Sequence, residues 1–349
     1  MSEDEPDVVK GLRLQGGVCR NMGSPLNAAL LEHAAEDWMA GGSVRSLLAP
    51  WARADLKAQF DGAVALRLIG AWHELALSGE DAPLSAAYRR LDAEAVWSAL
   101  QTAMIAHRDR LIAFIGHEPQ TNEVRRSICL VGGFLEIAKA TGLPLRCFEI
   151  AASAGLNTSW DRYRYKLGDA QWGDLGATVV MDTDWSGPVP PVEAPIRVIE
   201  RAACDRRPTD LNDPDQRRRL MAYVWADQPE RMARARAAVE VAQANGVRVE
   251  AADAVDWTRA RVAPQAGAVT VLFHSVFWQY MPPQSQAALS ALIGEIGASA
   301  SRDAPFAWLR LEPPDPAPRM EVRLTLWPVG DTRILAETHP HGAYVHWAT

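Results

Sequence analysis

Cysteine is scarce. The 349 residues hold four, Cys19, Cys129, Cys147 and Cys204, far apart and each in an apolar context. No Cys-x-x-Cys pair and no cysteine–histidine pair at zinc spacing occurs. That leaves no basis for a disulfide framework or a structural zinc, and reads as small buried side chains in a reducing compartment. No apolar stretch reaches the roughly 18 residues that would cross a bilayer. The acidic start, MSEDEPDVVKG, lacks the basic and apolar regions of a secretory leader. Lysine-rich runs are absent too. With a net charge of −7, neither nucleic acid nor a membrane surface finds electrostatic support as a partner. Arginine greatly outnumbers lysine but is scattered. Arg217, Arg218 and Arg219 fall in a helical pattern and read as a solvated face. The expectation is a cytoplasmic protein acting on a small molecule.

What is present is ordinary globular material. Hydrophobic residues make up 48%, enough for a sizeable core in one large domain or two of usual size. The thirteen tryptophans are dispersed, form no repeat, and read mostly as core fillers, some of which could wall a pocket.

Residues 1–141 read as helical throughout. SPLNAALLEHAAEDWMAGG has Ser24 as a cap, Pro25 at the first helical position and a Gly-Gly stop. GAVALRLIGAWHELALSG repeats the pattern to Gly79. DAEAVWSALQTAMIAHRDRLIAFIG reads as one long helix, and NEVRRSICLVGGFLEIAKATG as another, capped by Thr121 or Asn122. From Leu143 strand-like runs alternate with helical ones: PLRCFEI, IRVIERAACD, GVRVEAAD, AVTVLFHSVFW and PFAWLRLEP, then three closing strands. A helical stretch at 213–245 is broken near Pro229. Such alternation predicts α/β architecture: a doubly wound, mostly parallel sheet over 142–349, preceded by an all-helical region over 1–141. Residues 158–196, rich in Trp, Tyr, Asp, Gly and Pro, interrupt it. They read as a helical turn, a hairpin and a proline-rich link, an insertion that is either a lid or a structural flap.

Ligands bind open parallel sheets at the carboxyl ends of the strands. The first strand ends in CFEIAASAGLN, where Glu149 is followed by Ala151, Ser153, Gly155 and Asn157. Small residues there let a ligand approach the backbone. The next two strands end at Asp205 and at Asp253–Ala254, so successive strands present carboxylates at one edge. This pattern resembles class I methyltransferases over 143–313, with Ala151, Ser153 and Gly155 at the places of three alternating glycines. The resemblance implies S-adenosylmethionine as cofactor. Amides of the loop would hold its carboxylate, Glu149 its ammonium, Asp205 its ribose hydroxyls and Asp253 its adenine amino group. His274 and Tyr280, past the fourth strand, and Arg125 would face the methyl acceptor, with His274 a candidate base. The helical region and the insertion would shape the acceptor pocket. Plainer structural roles compete at each place: the loop only permits tight packing, the aspartates only cap helices, and His274 is a hydrogen-bonded core residue.

Two other readings stay open. Ala151–Gly155 differs from G-x-S-x-G at one position, so Ser153 with Asp253 or Asp256 and His339 or His341 would make a serine hydrolase. A non-catalytic binding protein on a degenerate methyltransferase fold would bind without turnover. The histidines of the helical region, His33, His73, His107 and His117, have no ligand partner one helical turn away, and those of THPHGAYVHW lack nearby Cys or carboxylate partners, so no metal is expected.

GSPLNAALLEHAAEDW, QTNEVRRS, FEIAASAGLNTSWDRYRY, CDRRPTDLNDPDQRRRLMAYVWADQ, VLFHSVFWQYMPP and WLRLEPP together resemble the bacterial family called domain of unknown function 2332, over nearly the whole chain. The resemblance implies membership and carries no activity with it. The family phrase has glycine where this chain has Ala151.

Overall fold

The computed structural model describes residues 5–314 and 319–348. Its contacts divide the chain into two compact units. One comprises residues 1–121 and 213–235, the other 122–212 and 236–349.

The first unit is helical: α1 (Asp7–Asn21), α2 (Pro25–Met39), α3 (Ser43–Leu47), α4 (Leu56–Asp61), α5 (Val64–Ser78), α6 (Ala82–Arg90), α7 (Ala93–Ala106) and α8 (Arg108–Ile115). Its main core cluster includes Leu30, Trp72, Leu75, Leu100 and Ile115, all essentially solvent-free. Two local expectations are corrected. The long helix over 92–116 is two, because His107 leaves helical geometry (φ −114°, ψ 26°). Ser24 does not cap α2 with its side chain. Instead Asp227 does, accepting from Leu26 N (2.9 Å) while Ser24 Oγ donates to its other oxygen (2.7 Å).

The second unit opens with α9 (Arg126–Thr141), which ends at Gly142 in the left-handed region. Asn122 does not cap α9; its side-chain oxygen accepts from Leu156 N instead (2.9 Å). The strands follow: β1 (Leu145–Ile150), β2 (Arg164–Leu167), β3 (Ala170–Trp172), β4 (Val180–Met181), β5 (Asp184–Ser186) and β6 (Val198–Asp205). The chain then contributes α10 (Pro214–Ala222) to the first unit and begins α11 (Pro229–Ala244) there. The rest is β7 (Val249–Ala251), α12 (Ala254–Arg261), β8 (Val269–Ser275), α13 (Pro283–Ala298), β9 (Phe306–Glu312), β10 (Met320–Trp327), β11 (Asp331–Thr338) and β12 (Tyr344–Trp347).

Nine strands form one sheet in the order β5-β12-β11-β10-β9-β8-β1-β6-β7. Neighbours from β9 to β7 pair in parallel, and β9 through β12 pair antiparallel. The strand order reverses between β1 and β8, which is where open α/β sheets bind ligands. The register of β1 sets Phe148 opposite Leu272 and Glu149 opposite Phe273. Because side chains alternate, Phe148 and Leu272 join the cluster under α12 and α13, while Phe273 meets Phe134 of α9 on the other face. Close approach of α9 requires glycine: a Cβ on Gly133 would lie 2.4 Å from Leu309.

The insertion folds as a 3-10 segment, Asn157–Arg162, and a small sheet β3-β2-β4; β5 then joins the edge of the large sheet beside β12. Among the described residues no helix is long and apolar enough to cross a membrane.

Candidate functional site

The loop after β1 alternates in handedness. Ala151 (φ 55°), Ser153 (φ 57°) and Gly155 (φ 73°) are left-handed, with Ala152 and Ala154 between them. Left-handed backbone costs about 1–2 kcal/mol for each non-glycine residue, so the surroundings must hold the loop in place. They do so from three sides. Ala152 N donates to Cys204 O (3.0 Å), Ser153 N to Asp205 Oδ2 (2.9 Å), and Thr209 N to Ser153 O (3.1 Å). Leu156 N is held by Asn122 as above. Gly155 is fixed by packing as well: a Cβ there would lie 2.7 Å from Val247 and 2.9 Å from Val249.

Asp205 is the knot of this arrangement. Oδ2 accepts from Ser153 N and Oδ1 from Arg207 N (2.9 Å), so one carboxylate ties the β1 loop to the β6 loop. Each oxygen keeps a second lone pair for a ligand donor. Asp253 caps α12 with Oδ1 alone, which accepts from Val255 N (2.9 Å) and Asp256 N (3.4 Å). Its Oδ2 takes no part in the cap, and the residue is exposed.

A cavity of about 430 Å³ opens at these strand ends, within the range of small-molecule sites. Ala151 lines it from β1, Asp205 and Arg206 from β6, Asp253 and Ala254 from β7 and α12. Phe277, Tyr280 and Met281, between β8 and α13, form an apolar wall. Of the residues singled out from sequence, the cavity brings together Ala151, Asp205, Asp253, Ala254 and Tyr280. Tyr280 stands at 74% exposure.

The others lie off the lining. Glu149 is buried, and the Thr158 hydroxyl donates to it. Burial, with Asp205 nearby, pushes its carboxyl up to about 8, against the pull of Thr158. Asn157 Nδ2 donates to Glu123 O (3.2 Å). Ser153 Oγ is buried with no hydrogen-bond partner among the described residues. A nucleophilic serine needs a base within hydrogen-bond reach, and none is in place here. Arg125 donates through Nε (3.0 Å) and Nη2 (2.6 Å) to the Asp182 carbonyl of the insertion.

His274 is fully buried at the end of β8. The Trp308 indole N–H, which can only donate, reaches His274 Nε2 (3.1 Å). Nε2 is therefore an acceptor, and Nδ1 carries the proton and donates to Glu312 Oε1 (2.7 Å). Glu312 also accepts from Phe277 N (2.9 Å) beside the left-handed Val276 (φ 52°). Both ring nitrogens are thus used to shape the β8 loop that becomes the cavity wall. Sequence reasoning missed this partnership, and with it Trp308 and Thr158. The alternation W-L-R-L-E, which puts Trp308, Arg310 and Glu312 on one face of β9, was its readable trace.

Among the described residues no three His, Cys, Asp or Glu side chains are placed to hold a metal ion. No curated protein and no solved structure matches the chain. One family model does, over residues 9–347: "Uncharacterized protein conserved in bacteria (DUF2332)". With that match spanning nearly all of its length, the chain belongs to the family of domain of unknown function 2332.

Proposed function

We propose that the second unit is a methyltransferase-like Rossmann domain that transfers a methyl group from S-adenosylmethionine to a small molecule. The observation that carries this reading is the loop E-x-A-x-S-x-G after β1. Its left-handed residues fall at every second position, beside the strand-order reversal and at one wall of the cavity. Strain of this kind persists only where the surroundings hold it, and it clusters at functional sites.

The cavity's residues fit the cofactor's polar groups. Asp205 would accept from the ribose hydroxyls with its remaining lone pairs, and Asp253 Oδ2 from the adenine amino group. The Phe277–Met281 wall would cover an apolar ring face. Two carboxylates against one arginine, Arg206, also suit a ligand with a positive centre. When bound, the cofactor supplies a methyl on a cationic sulfur. The protein's part is to orient the acceptor and exclude water, which for a displacement of this kind supplies much of the rate.

A second reading, ligand binding without turnover, is favoured by two features. Both Asp205 oxygens already hold backbone amides. The β1 loop also feeds a 3-10 segment, so no α-helix begins directly after it.

Ultraviolet cross-linking with methyl-tritiated S-adenosylmethionine tests where the cofactor sits. Label is expected on peptides containing Ala151 or Phe277–Met281. Label confined to other peptides, or none that excess S-adenosylhomocysteine displaces, would refute the assignment.

A further inference from the structure

One face of the sheet carries a guanidinium that no described carboxylate pairs with. Along β9, Trp308, Arg310 and Glu312 share a face, and β10 sets Thr325, Arg323 and Glu321 opposite them. His274 of β8 lies beside Arg310 in register. The carboxylates of this face are already engaged. Glu312 accepts from His274 and Phe277 N. Glu321 accepts from Arg319 (3.4 Å) and Arg323 (2.8 Å). His274 has both ring nitrogens engaged, with Glu312 and Trp308, and offers Arg310 no acceptor.

Arg310 forms no ion pair among the described residues. Its hydrogen bond runs from Nη1 to Thr325 Oγ1 (3.2 Å), and that hydroxyl in turn meets Thr332 Oγ1 (2.7 Å). The guanidinium lies 3.7 Å from the centre of the Trp308 ring. Most of its five donors therefore have no protein partner among the described residues, in a half-buried setting. Burial and the adjacent Arg323 push its pKa down to about 10, with Glu312 opposing. A half-buried guanidinium held on an aromatic face, with donors that no described protein group takes, is placed to receive an anion.

The surroundings connect this group to the cavity. Trp278, in the 3-10 segment Trp278–Tyr280, has its ring centre 5.6 Å from that of Trp308 and stacks on His274 at 5.7 Å. That segment includes Tyr280 of the cavity wall. Arg310 thus stands one strand beyond the β8 loop, on the side away from Asp205 and Asp253.

We propose that Arg310, held on Trp308 and flanked by Arg323, binds an oxyanion: the carboxylate or phosphate of the small molecule acted on at the neighbouring cavity. A planar fork suits either group in bidentate fashion. The anion site stands on its own geometry; its role as anchor of the methyl acceptor rests on the methyl-transfer reading.

The test uses the full chain, with sodium phosphate or sodium acetate replacing chloride at constant ionic strength, read by calorimetry and thermal unfolding. Saturable binding and a raised unfolding midpoint are expected with at least one anion. The phosphate and acetate arms tell which oxyanion is preferred. Arg302→Gln, at an exposed site, should keep the response. Arg310→Met should lose it, and Arg310→Lys should weaken it at least about fivefold, because a point charge lacks the fork. No saturable response to either anion, or an undiminished one in Arg310→Met, overturns the proposal. If Arg310→Met does not fold, phenylglyoxal labelling of the unmutated chain decides. Phosphate or acetate should slow modification of Arg310 and not of Arg302, and equal rates with and without both anions would overturn it. S-adenosylhomocysteine titrated into the same samples separates the two ideas. Anion binding without it removes only the acceptor role, and the converse removes only the anion site.

Discussion

At Glu149 the fold buries a carboxyl beside the β1 loop, with the Thr158 hydroxyl as partner and little water. Its pKa, raised to about 8 by burial, makes the folded state bind more protons than the unfolded state between roughly pH 4.5 and 8. Stability therefore falls as pH rises through that window. Glu149→Gln removes the ionisation, so it should be more stable than the parent at pH 8.5 by about 4 kcal/mol and nearly equal at pH 5. Urea unfolding of both proteins at the two pH values measures this, and a pH-independent difference would count against it. His274 makes a second case at this scale. Replacing it with Phe leaves Glu312 and the Trp308 N–H each short of a partner, which should cost about 2–4 kcal/mol. Urea unfolding of His274→Phe checks this; a loss below about 1 kcal/mol would mean the network is not holding the β8 loop.

Among the elements, the β1 loop and α2 show how distant residues set local geometry. Ala→Gly within a strand costs about 1 kcal/mol. At Ala151 the left-handed strain should offset that loss, so Ala151→Gly is expected to change stability by less than about 0.5 kcal/mol, whereas Ala203→Gly in β6 shows the usual cost. Equal losses at both sites in denaturant unfolding would show that Ala151 is not strained. At α2, Asp227→Ala removes the cap that Leu26 N and Ser24 depend on and should cost about 1–2 kcal/mol by the same assay. Much of this level was legible. Periodicity marked most helices and the strands, and the run of small residues marked the unusual loop. The Asp227 cap was not, because its partner lies some 200 residues away along the chain and the local phrase already offered Ser24.

On the scale of the whole molecule, residues 213–235 return to the helical unit and bury Ala222, Tyr223 and Trp225 in its core. Nothing in a helical pattern says which unit a helix will join, so from sequence this segment stays with its neighbours in 142–349. The parallel pairing of β5 with β12 was hidden for the same reason: a three-residue strand has no periodicity to read. The site was legible in part. Asp205, Asp253 and Ala151 share the cavity as carboxyl-end residues of adjacent strands, but the ties that occupy Asp205, His274 and Arg125 depend on neighbours that only the fold supplies. The most direct test of the central claim is calorimetric titration of the full chain with S-adenosylhomocysteine, beside Asp253→Asn, which keeps the α12 cap and removes the second carboxylate oxygen. Saturable micromolar binding by the parent is expected, weakened at least about tenfold, or ~1.4 kcal/mol, in the variant. No binding by a folded, ligand-free parent, or equal binding by both proteins, would contradict it.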